Sequence, residues 1–201
     1  MKTLYTLLLI LTFTFVASAS ADDHREWLQG GVPAANSDAS KTIDGFGASV
    51  IVSADPDWES KWDTPSEVVP TFSAVQNLKR GEQATILVFF ANPAVAADGT
   101  VDVTYDLKIT GPDKKVTENR GLKAITGTLP GPPTNIYLAG NVIGFIGEPA
   151  DPLGEWVVDV VVHDNHRHVS IPLRAKFILT LTGDELNAYG VKRGRVTLLG
   201  R

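Results

Sequence analysis

The chain contains no cysteine. That excludes disulfides, thiolate metal sites and thiol nucleophiles, and it excludes a lipid anchor on a signal-peptide cysteine. Exported eukaryotic domains of this size usually rely on disulfides, so an exported chain without them reads as bacterial. After the first stretch, no apolar run approaches the roughly 20 residues that a membrane span needs. A long basic run is also missing, and the net charge is −5 over 201 residues. That balance argues against nucleic acid as a partner. No window carries the period of a long amphipathic helix. A G-x-S-x-G nucleophile elbow and a glycine-rich phosphate loop before a helix are absent too, and GFGAS from Gly45 does not fit the elbow. With no catalytic set nominated, the chain reads as a non-enzyme.

What is present begins with MKTLYTLLLILTFTFVASASADD. Lys2 is a basic n-region, Leu4 to Val16 is apolar, and Ala19-Ser20-Ala21 is an A-x-A cleavage pattern before Asp22. This reads as a secretory signal peptide over 1–21, and the product as soluble and exported, in the periplasm or outside the cell. Residues 22–45 are polar, small and without a sustained period, which reads as a flexible leader anchored at most by Trp27. A sandwich domain is expected over 46–182. The tail 183–201, basic through Lys192, Arg193, Arg195 and Arg201, reads as a solvated terminus.

Within the domain the period is that of strands. FGASVIVSA is short and β-branched and stops at Asp55-Pro56, while ATILVFFANP is continuously apolar and stops at Asn92-Pro93. From Val101 to Ile109 every second residue is apolar and the others are polar, the mark of a strand with one wet face. Weaker strands are expected around Lys115 to Asn119 and in ITGTL. Gly140 and Gly144 suggest a bulge or kink in IYLAGNVIGFIGEP. Trp58 and Trp62 are one helical turn apart, and GDELNAYG is a second short helix candidate. The expected fold is therefore all-β: an antiparallel sandwich with a flexible N-terminal leader and at most one or two short helices.

The last two strands are GEWVVDVVV and VSIPLRAKFILTL. This G-E-W-x-V-x-V-x-V hairpin resembles the closing hairpins of immunoglobulin-like sandwiches in bacterial exported proteins. The resemblance covers roughly Phe46 to Leu181 and implies a fold, not an activity. A hairpin turning about Asn165-His166 sets Val162 opposite Val169, Val160 opposite Ile171, Val158 opposite Leu173 and Trp156 opposite Ala175. A one-residue slip is forbidden, because it would move polar residues to the valine face. The same register sets His163 opposite His168 on the polar face, with β-carbons about 4.5–5.5 Å apart. Pro172 has no amide hydrogen, so its strand needs an open side or a bulge there.

Two imidazoles so placed are candidate ligands for zinc or copper, with Asp164 and His166 as further ligands. The alternative is an ordinary turn, where Asn and Asp belong. Asp55, Asp57, Glu59 and Asp63 offer oxygens to calcium but lack EF-hand spacing, and read as a solvated acidic loop. Trp58 and Trp62 read either as a lid on the sandwich core or as a platform for sugar rings. Glu148, Asp151 and Glu155 form a second acidic loop, again solvated. Taken together, the sequence points to an exported, non-catalytic binding module with no resident cofactor. Its expected partner is an envelope or secreted protein, met through end loops or a sheet edge. The alternatives are a periplasmic metal-binding protein and a carbohydrate-binding module.

Overall fold

The computed structural model describes residues 28–29, 32–33, 35–64 and 70–188. Residues 1–21, read from the sequence as a signal peptide, Trp27 and the tail beyond Ala188 lie outside the described residues. Its elements in chain order are β1 (Leu28–Gln29), β2 (Val32–Pro33), β3 (Ser40–Ile43), β4 (Phe46–Ser53), α1 (Trp58–Trp62), β5 (Asn77–Lys79) and β6 (Gln83–Ala91). There follow β7 (Thr100–Thr110), β8 (Val116–Thr128), β9 (Ile136–Leu138), β10 (Ile143–Ile146), β11 (Gly154–Asp164), β12 (Val169–Thr180) and α2 (Gly183–Ala188).

The fold is the expected all-β sandwich. One sheet runs β10-β6-β4-β3, with β9 also paired to β6, and the other runs β5-β12-β11-β7-β8. β1 and β2 pair only with each other. Every pairing is antiparallel except β5 with β12. The stretch read as a leader contributes β3, which pairs with β4, so order reaches at least back to Ser40. Ser40 to Ile43 is half-buried and short, and gives no strand period to read. The kink expected at Gly140 is a real break. β9 and β10 are two short strands laid end to end along β6. The two weak strands expected after Lys115 are one long strand, β8, whose pairing to β7 is interrupted twice.

Burial follows the period. In β7, Val101, Val103, Tyr105, Leu107 and Ile109 face the core and the residues between them are half-exposed. β6 is apolar from Ile86 to Ala91 because both of its faces are covered. Ala84, Ile86, Val88 and Phe90 enter the core between the sheets. Leu87 and Phe89 point the other way yet are 0% and 4% exposed. The rings of Trp62 and Phe72, each with its centroid 5.5 Å from Phe89, lie over that outer face. The tryptophan segment is thus a third layer on one sheet rather than a lid on the end of the core. The aromatic cluster at the core's end is instead Trp156, packed on Phe145 at 5.0 Å and on Phe177 at 6.5 Å, with its indole N–H given to the Pro152 carbonyl at 3.1 Å.

The closing hairpin departs from its expected register. Val162 pairs with Ile171, Val160 with Leu173, Val158 with Ala175 and Trp156 with Phe177. His163 pairs with Ser170, not with His168. Each partner is two residues further along than expected, and a two-residue slip keeps the same side chains on the same face. Burial forbids odd slips and is blind to even ones. The turn decides the matter. It uses four residues, Asn165 to His168, and His168 takes the left-handed conformation with φ 59°. Longer hairpin loops commonly end in such a residue. Pro172 pairs with Val161, and β5 reaches only Ile178 to Thr180 on the other side, so no strand asks the proline for an N–H there; its carbonyl instead accepts a hydrogen bond from the Lys41 ammonium at 2.7 Å.

Candidate functional site

The loops at the turn end of β11 and β12 are held together by one ion pair. Asp164 is 1% exposed, an unusual place for a carboxylate. One of its oxygens accepts the Arg167 backbone N–H at 3.0 Å, and the other accepts the Ala94 N–H at 2.7 Å. The second oxygen also lies 3.3 Å from Arg167 Nε. The Arg167 guanidinium then reaches the opposite sheet. It donates to the Asn92 carbonyl at 3.0 Å and to the Asp44 carbonyl. Asn92 donates its side-chain amide to the Gly45 carbonyl at 2.7 Å and its backbone N–H to the Pro133 carbonyl at 2.7 Å. Four loops from both sheets converge on this clasp: the β3–β4 turn, the β6–β7 segment, the β8–β9 segment and the β11–β12 turn.

Backbone strain gathers at the same place. Asp44, Asn92 and His168 all have positive φ, at 49°, 55° and 59°. Such conformations are uncommon outside glycine and persist where surrounding contacts over-determine them. The Arg167 and Asn92 bonds to the neighbouring carbonyls supply those contacts. The turn is also stitched to β7 by Asn165, whose N–H bonds the Asp102 carbonyl at 2.9 Å.

The four residues nominated for metal do not converge. Asp164 is committed to Ala94 and Arg167. His163 lies on the outer face of β11, with Nδ1 2.8 Å from Ser170 Oγ and Nε2 3.6 Å from Asp106 Oδ2. His166 and His168 are exposed in the turn, and His166 adds to the pull that lowers the Asp98 pKa, after the Thr100 hydroxyl and amide. Among the described residues no group of three or more His, Asp and Glu side chains could hold a metal ion. The cross-strand histidine pair required the two-residue turn, and it is lost with it. Ser170, His163 and Asp106 recreate the residue types of a hydrolytic triad. Here, however, they lie on the outer face of a sheet, where the N–H groups of the ladder run in the plane of the sheet rather than towards the side chains above it.

The acidic loops have internal partners. Asp55 accepts the Ser73 N–H at 3.0 Å and lies 3.1 Å from Lys61 Nζ, which is also 3.2 Å from Asp57. The Ser73 N–H is the main cause of its lowered pKa, and Lys61 adds to it against the opposing effect of burial. The loop's cation is therefore its own lysine. Asp151 accepts the Glu148 N–H at 2.8 Å to close a turn, and Glu155 pairs with Lys176 at 3.1 Å. Trp62 spends its ring on Phe89. Sequence reading missed Arg167, Asn92 and Asp44 as members of one site. Their only trace was turn chemistry at Asp44-Gly45 and Asn92-Pro93.

No protein-family model matches the chain, and no curated protein matches it. Solved structures do resemble it. One is an alkylpurine DNA glycosylase from Pseudomonas fluorescens, 16% identical over 52% of this chain with TM-score 0.35. The match spans about a quarter of that enzyme, 27% of its length. The FixG-related protein from Vibrio parahaemolyticus is 13% identical over 69% of this chain and 100% of its own, with TM-score 0.34. A CARDB domain from Pyrococcus furiosus, solved with two metal ions, is 8% identical over 74% of this chain and 100% of its own, with TM-score 0.34. These likenesses concern β architecture and carry nothing about activity, ligand or partner. Among the described residues no helix is long and apolar enough to cross a membrane.

Proposed function

We propose that this protein is an exported, non-catalytic β-sandwich that works by binding another envelope or secreted protein through its clasped loop end. The observation that supports this reading is the Arg167 fork. It holds loops of both sheets in one arrangement, so a partner meets a surface whose ordering cost has already been met within the fold. Val95 stands 47% exposed next to Ala94, whose N–H is bound to Asp164, and His166 and His168 are exposed in the turn that follows Asp164. An apolar side chain among polar donors on rigid loops suits a protein surface better than a metal or a sugar.

The test uses a photo-activated cross-linking residue at His166 in the intact exported chain, expressed in a bacterium. The control position is Ile146 at the far end of β6, a strand of nine residues and so about 30 Å away. A discrete adduct from His166 and not from Ile146 is the expected result. Equal adducts from both positions, or none from His166, would remove the loop end as the binding surface. Export itself is checked by the mass of the mature protein, which should begin at Asp22.

A further inference from the structure

Among the described residues, β8 forms one edge of the second sheet and presents an open side. Its first six residues, Val116 to Gly121, are all exposed. Further along, its outer side is occupied: the Ala124 carbonyl accepts the Gly140 N–H at 2.8 Å, and the Lys123 carbonyl accepts the Asn141 side-chain amide at 3.2 Å. Among the described residues, no backbone hydrogen bond from outside β7 reaches 116–122. An open strand edge is a template for another strand. Charges of one sign along such an edge would repel an approaching copy. The charges here are of both signs. Glu118 and Arg120 pair with each other at 2.9 Å, and their side chains remain 40% and 73% exposed.

We propose that a second copy of this chain is the occupant, pairing β8 with β8 antiparallel about a two-fold axis at Asn119. That register sets Glu118 opposite Arg120 of the second copy, and Arg120 opposite its Glu118, so both charges gain a partner of opposite sign across the interface. Thr117 then faces Gly121. Gly121, at φ 63°, bends the strand and ends regular pairing. The interface is isologous, as two-fold symmetry requires, and it joins two five-stranded sheets into one. Because the paired stretch is short, the dimer is weak and depends on concentration. This surface is separate from the loop end, and the proposal does not rest on the partner-binding reading.

Sedimentation of the mature protein over a wide concentration range reads the equilibrium. Glu118→Arg alone and Arg120→Glu alone should each weaken dimerisation tenfold or more, and the double exchange should restore it. The cysteine-free background gives a second reading. Asn119→Cys should oxidise to a covalent dimer, because it meets its own copy at the two-fold axis. Thr126→Cys, outside the open stretch, should not. A protein that stays monomeric at millimolar concentration overturns the proposal. So does a dimer indifferent to the charge exchanges, or one whose Asn119→Cys form fails to cross-link.

Discussion

Replacing Asp164 with alanine removes the acceptor for three donors at once: the Ala94 N–H, the Arg167 N–H and the Arg167 guanidinium. The Asp164 side chain is 0% exposed and that of Arg167 25% exposed, so little water can replace the lost carboxylate. Hydrogen bonds to a charged group contribute about 1.5–3 kcal/mol each, and breaking a buried ion pair by removing one partner costs about 3–5 kcal/mol. The two figures describe the same contacts and are not summed, which leaves an expected loss of about 3–5 kcal/mol. For a domain of this size that lowers the melting temperature by roughly 6–20 °C. Urea unfolding followed by tryptophan fluorescence measures it. Arg167→Lys should not substitute, because one ammonium cannot serve Asp164, Asn92 and Asp44 in a planar fork. A double-mutant cycle of Asp164→Ala with Arg167→Ala should show coupling of about 1–3 kcal/mol. A loss below about 1 kcal/mol for Asp164→Ala, or a coupling of zero, would show that the clasp does not hold the loops.

Tyr105 is 1% exposed and gives its hydroxyl to the Asn141 carbonyl, and burial pushes its pKa up to about 12. The unfolded tyrosine ionises near pH 10, so stability is full below that value and falls as pH rises from 10 towards 12. Tyr105→Phe, though weaker at neutral pH, should flatten that alkaline decline in urea titrations. Asp159 works in the opposite direction. Burial would raise its pKa, but hydrogen bonds from Arg174 at 2.6 Å and Lys108 at 3.1 Å outweigh it and hold the carboxyl below its ordinary value of 3.8. Its contribution is present above that value and lost as pH falls through the lowered pKa, so Asp159→Asn should blunt acid unfolding. Trp62→Ala uncovers Phe89 and should lower stability by about 1–3 kcal/mol, read as a shift in the urea midpoint.

Strand identity was legible where a side chain's neighbour two residues on repeats its chemistry. β7 shows this directly, and the unbroken apolar run of β6 announced two covered faces. What the run could not announce was the cover. Trp62 and Phe72 come from the connection between β4 and β5, and a helical turn of two tryptophans looks the same whether it caps a core or lies on a sheet. β3 was invisible for a related reason. An edge strand of four half-buried residues takes its order from β4, and its own composition carries no period.

The hairpin turn shows where pattern stops and chemistry has to be read. Sliding β12 by two residues leaves each inward-facing valine of β11 (Val158, Val160 and Val162) against an apolar partner, so hydrophobic burial is nearly equal in the two registers. The difference lies in Asp164 and Arg167. A two-residue turn makes them a cross-strand pair opposite each other on the same buried face as Val162, and two charges would then end in the core with no backbone to bind. The four-residue turn keeps Asp164 inward against the Ala94 and Arg167 amides and lets the guanidinium reach outward to Asn92 and Asp44. The cost of burying an unpaired or poorly bonded charge, several kcal/mol, exceeds any difference the valines could make. The position of the buried carboxylate therefore selects the register. The histidines took their places as a consequence: His163 beside Ser170, and His168 in the strained corner that the turn requires.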